Sequence, residues 1–76
     1  MATLEHHSSI LSFARYHRSD KLRVDTVATT GWVAIEEAWS LYQDLLQVPG
    51  TTKVVFIDSS SGKVVPENEL LNRAVL

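Results

Sequence analysis

The stretch "SSILSFARYHR", residues 8–18, decides which fold class this chain joins. His7, Ile10, Leu11, Ala14 and His17 recur at spacings of three and four, which sets them on one face of a helix. Ser8 or Ser9 supplies an N-cap hydroxyl, Phe13 flanks the stripe, and Ser19 with Asp20 interrupts it. The spacing predicts a first helix over residues 8–18.

Moving outward, "KLRVDTV" (21–27) alternates, with Leu22, Val24 and Thr26 opposite Lys21, Arg23 and Asp25, as a short strand or extended segment would. "ATTGWV" (28–33) is expected to turn at Gly31, with Trp32 and Val33 forming a second extended piece. "AIEEAWSLYQDLLQ" (34–47) carries Ile35, Ala38, Trp39, Tyr42, Leu45 and Leu46 on one broad apolar face. Glu36 and Glu37 complement the helix dipole at its start, and Pro49 with Gly50 stops it. "KVVFIDSSSGKVV" (53–65) is expected to be a hairpin: a β-branched first strand over 53–58, a turn with Gly62 at positive φ, and a return strand over 63–65. Pro66 suits the first position of a last helix, held down by Leu70 and Leu71.

Seventy-six residues make one small domain, 1–76. A chain of this size buries only about 60% of its unfolded surface. It has no cysteine, which excludes disulfides and thiolate metal sites and favours an intracellular setting, cytoplasmic or nuclear. No apolar run approaches the roughly 18 residues of a bilayer span, and the start lacks the pattern of a signal peptide, so no membrane role is expected.

Catalysis is not expected. No nucleophile motif surrounds any serine, the three glycines are scattered, and the adjacent pair Glu36 and Glu37 diverges on a helix. No metal, cofactor or small-molecule ligand is expected either. His6 and His7 are adjacent rather than four apart, and Glu5 and His17 do not complete a site with them.

One feature exceeds a solvated surface. Arg15, Arg18, Lys21 and Arg23 place four of the chain's seven Lys and Arg within nine positions of a protein with net charge −2. On a helix, Arg15 and Arg18 lie side by side, and phosphate oxygens match such groups through bidentate arginine bonds. Screening limits a patch of this kind to roughly 8–10 Å.

At these same residues, "ILSFARYHRSDKLRVDTVATTGWVAIEE" (10–37) resembles the N-terminal lobe of the RNA 2'-phosphotransferases that act on spliced tRNA. Leu11-Ser12, His17, Lys21-Leu22 and Gly31-Trp32-Val33 stand in that family's order. The resemblance implies a winged-helix-like RNA-binding domain with the hairpin as its wing, and a phosphate-contacting patch of Arg15, His17, Arg18 and Lys21. It does not imply phosphate transfer. Tyr16-His17 replaces the family's Arg-His pair, Val64, Val65 and Pro66 stand where the wing carries arginine, and the NAD-binding lobe has no counterpart here. Residues 22–71 are also similar in pattern to the N-terminal interaction domains of the cell-death-inducing DNA fragmentation factor-like effectors. That similarity implies a ubiquitin-like roll pairing through basic and acidic faces, the latter at Asp58, Glu67 and Glu69.

The expected fold is therefore α+β, a small winged-helix-like domain with about three helices and a C-terminal β-hairpin. The expected function is a non-catalytic binding module contacting RNA or another anionic partner through Arg15, His17, Arg18, Lys21 and Arg23. The alternative is a self-associating or protein-docking domain, motivated by the acidic net charge and the apolar end "ELLNRAVL".

Overall fold

The computed structural model describes residues 9–74. Strand β1 spans Ile10–Arg18, β2 Asp25–Ala34 and β3 Thr51–Asp58; helix α1 spans Ile35–Leu46 and α2 Glu67–Asn72. The strands form one antiparallel sheet in the order β2-β1-β3. The fold is thus α+β, but with a three-stranded sheet and two helices among the described residues. It is not a winged-helix-like domain of three helices closed by a C-terminal hairpin.

Residues 10–18 overturn that expectation by forming the central strand rather than a helix. Ile10, Phe13, Tyr16 and His17 are indifferent helix formers, and the aromatic and β-branched residues among them favour a strand. Both edges of β1 are satisfied, by β2 from Ile10↔Ala34 to Arg18↔Asp25 and by β3 from Leu11↔Asp58 to His17↔Thr51. That ladder outweighs the weak helical stripe. Of the expected caps, Ser9 precedes a strand and caps no helix, its carbonyl accepting from Ile35 N–H instead, while Ser8, like His7, lies outside the described residues.

Other corrections follow from the sheet. Gly31 does not turn the chain; it sits within β2 opposite Phe13. A Cβ placed there would meet Phe13 Cε2 and Cζ at 2.8 Å, so the glycine makes room for the ring. The actual turn is residues 19–24, closed by Ser19 N–H to Val24 O at 2.9 Å and Arg23 N–H to Ser19 O at 2.6 Å. Arg23 adopts φ 60 there. The return strand of the expected hairpin shrinks to a single bridge, Ile57↔Val64, although Gly62 does take a positive φ of 74. Pro66 is the N-cap of α2 rather than its first residue.

Helix α1 follows the sequence pattern except that Leu46, expected on the apolar face, is exposed, while Leu41, outside that face, packs against the core. It packs Ile35 and Ala38 onto one face of the sheet, where Leu11 and Phe56 are buried, and Leu70 of α2 completes this core. Burying such side chains contributes about 1.5–3 kcal/mol each. Tyr42 bridges Trp39 and Phe56, with ring centroids 5.7 and 6.2 Å apart, and Phe13 stacks beside Phe56 at 5.9 Å. Leu71 does not join Leu70; it is exposed.

Two consequences position the surfaces. Buried Leu11 and Phe56 fix the covered face of the sheet, so Ser12, Ala14, Tyr16 and Arg18 of β1 point to the other, open face. The outer edge of β2 has no strand beside it among the described residues. Ala28 is an extra residue in β2, because Arg15 pairs with Thr29 and Tyr16 with Val27.

Candidate nucleic-acid interface

The alternation of β1 divides the basic cluster. Arg15 and His17 share the covered side with Leu11 and Phe13, while Arg18 projects with Tyr16 from the open side. Arg15 is partly buried. It donates from Nη1 to Thr51 Oγ1 at 3.0 Å and from Nη2 to Thr29 Oγ1 at 3.3 Å. Thr51 in turn donates to the carbonyl of Leu45 at 3.1 Å, near the end of α1. That end carries no basic residue of its own, so Arg15 brings a positive charge to the negative pole of the helix. His17 lies in register with Thr26 and Thr51.

Arg18, Lys21 and Arg23 are exposed at the turn end of the β1–β2 hairpin. None of them forms an ion pair or side-chain hydrogen bond among the described residues, although Asp20 and Asp25 share the stretch. The backbone beneath them is fixed. Besides the two turn bonds, Leu22 N–H donates to Ser19 Oγ at 3.1 Å. A non-glycine residue at φ 60 is held there at some conformational expense, on the order of 1 kcal/mol. Leu22 and Val24 also stand exposed at this end.

The open face adds residues that sequence reasoning missed as site residues. Lys53 lies across from Tyr16 in the register, with its ammonium 4.7 Å from the ring centroid, a cation–π distance. From Tyr16 to Trp32 runs a shallow depression of about 310 Å³, lined also by Ser12, Ala14, Thr30, Val55 and Ile57. Trp32 is 69% exposed. The pairing Ser12↔Trp32 sets it on the open side, away from the core. Period-two alternation of residues 12–18 is the signal that would have joined Tyr16 to Arg18, whereas Lys53 emerges only from the cross-strand register.

The opposite side of the protein is acidic. A second depression, of about 470 Å³, is lined by Glu36, Glu37 and Asp44 together with Val33, Ser40 and Leu41. Asp58, at the end of β3, accepts hydrogen bonds from the hydroxyl and the backbone N–H of Ser60 and from Ser61 N–H. The Ser60 hydroxyl first, then these N–H groups, hold its carboxyl below the ordinary carboxylate value.

Among the described residues no three His, Cys, Asp or Glu side chains gather as a metal site requires. His6 and His7 lie outside those residues. No described helix is long and apolar enough to cross a membrane. Comparison with protein-family models, curated proteins and solved structures gives no match.

Proposed function

We propose that the protein is a non-catalytic binding module that holds RNA by its phosphates at the turn end of the β1–β2 hairpin. One observation carries this: Arg18, Lys21 and Arg23 are exposed, without ion-pair partners among the described residues, on a turn whose backbone is already ordered. An ordered turn loses little entropy on binding, and guanidinium groups suit phosphate oxygens. Lys53 on the open face extends the positive charge, while Glu37 and Asp44 keep an anion off the helix side. Arg15 and His17, on the covered side, contribute through the fold and not through contact. The proposal rests on this placement of charge and not on the phosphotransferase resemblance.

Salt dependence of RNA affinity tests it. Three phosphate contacts with a single strand give a log–log slope near −2, or roughly a 20-fold loss between 50 and 200 mM salt. Arg18→Glu with Arg23→Glu weakens binding and flattens the slope. Affinity indifferent to both salt and charge reversal refutes the proposal. A second possibility, a protein-interaction domain, is favoured by the strandless outer edge of β2 and by exposed Val24 and Val27. Sedimentation separates the two: a monomer that grows only with RNA supports the first, and a concentration-dependent dimer indifferent to RNA supports the second.

A further inference from the structure

We propose that the open face of the sheet, from Tyr16 to Trp32, is a stacking platform for unpaired bases, so that the RNA bound is single-stranded. This rests on the RNA-binding function above and names the form of RNA it takes.

Both helices pack on the other face, leaving this one bare among the described residues. An indole 69% exposed near the end of β2 presents a large apolar plane that no described residue covers. Every base has a flat π face that such a plane accepts whatever the base's identity. The Ala14, Val55 and Ile57 floor gives the base a dry seat beside Trp32, and the hydroxyls of Ser12 and Thr30 border it.

Charge complementarity chooses the occupant. The face is apolar at the Trp32 end and net cationic at the Tyr16 end, where Lys53 sits over the ring and Arg18 follows two residues along β1, with Asp25 as its cross-strand neighbour. Trp32 pairs with Ser12, and Tyr16 is four residues further on, so about 13 Å of strand separates the two aromatic positions. A polymer with an anionic backbone and apolar side groups matches both halves. The platform is also continuous with the basic turn, because Arg18 belongs to both. A duplex hides its base faces in its own stack and can offer only phosphates. A second copy of this chain would bring its own Lys53 and Arg18 to a face that already holds them.

The test titrates the intact protein with a short single-stranded RNA, a duplex of the same length and inorganic polyphosphate, following tryptophan emission and affinity. The expected result is quenching by the single strand, with affinity about 10-fold above that of the duplex. Trp32→Ala then weakens the single strand about 10-fold and leaves polyphosphate affinity unchanged. Trp32→Phe keeps an aromatic plane and restores most of the affinity, and circular dichroism shows both variants folded. If Trp32→Ala leaves single-strand affinity intact, or the duplex binds as well, the platform is overturned while phosphate binding at the turn survives. If neither RNA nor polyphosphate binds, both proposals fall. Quenched emission in a concentration-dependent dimer without RNA also overturns the platform, since a second copy then covers the face.

Discussion

Replacing Gly31 by alanine tests the packing of the sheet at its most sensitive point. The added methyl carbon meets Phe13 Cε2 and Cζ at 2.8 Å, whereas ordinary contact begins at 3.4 Å, so the ring must retreat by about 0.6 Å. It has little room. Its centroid lies 5.9 Å from that of Phe56, which is 1% exposed and is itself backed by Tyr42 at 6.2 Å. Overpacking of this kind destabilises by about 1–3 kcal/mol. The opposing term is the gain from replacing glycine where φ is not left-handed, about 0.4–1 kcal/mol through the unfolded chain. The net is a loss of roughly 0.5–2 kcal/mol, which lowers the melting temperature of a domain this size by about 2–16 °C. Thermal melts followed by circular dichroism, with urea titrations for the free energy, measure it. A second mutant fixes the cause: in a Phe13→Leu background the same alanine is neutral or stabilising, giving a coupling near 1 kcal/mol. If Gly31→Ala alone is as stable as the parent or more so, the steric account of this glycine is wrong.

Arg15→Met keeps the aliphatic stem but removes the bonds to Thr51 and Thr29, so urea denaturation registers a loss of about 1–2 kcal/mol while the salt slope of RNA binding stays at the parent value. Leu70→Ala empties a site that is 1% exposed and shared by α2 and the core; a loss of about 2–4 kcal/mol, from a total stability of roughly 4–11 kcal/mol, moves the urea midpoint sharply down. The depressed carboxyl of Asp58 sets a pH dependence. Its folded value lies below the unfolded value near 3.8, so its stabilisation is complete above that value and is lost as pH falls through the folded one. Melting temperatures taken between about pH 5 and pH 2 therefore fall less steeply for Asp58→Asn than for the parent.

The parts of the fold legible in the sequence are those where pattern and environment agree. Residues 34–47 show an unbroken helical stripe ended by Pro49 and Gly50, and the helix is there. The run Val54, Val55, Phe56, Ile57 announces a strand, and Gly62 its turn. Residues 10–18 hide their period because Arg15 and His17 stand on the covered face, so apolar and polar residues do not alternate cleanly. The 19–24 turn carries neither glycine nor asparagine; Arg23 takes the left-handed conformation unannounced. Gly31 has the composition of a turn but serves the space requirement of a ring opposite it. At the candidate interface, Arg18, Lys21 and Arg23 could be identified from local charge density. Tyr16, Lys53 and Trp32 share a face only through the pairing of three strands, which single-sequence patterns do not encode.

The extra residue in β2 bears on solubility. A ten-residue strand with one side bare among the described residues offers a regular row of amide donors and acceptors on which further chains can crystallise into fibrils. Ala28 throws that row out of step near its middle, splitting the template into two lengths too short to seed a continuous fibril. The irregularity thus works as a guard against open-ended polymerisation, while a single specific partner can still use one of the two lengths.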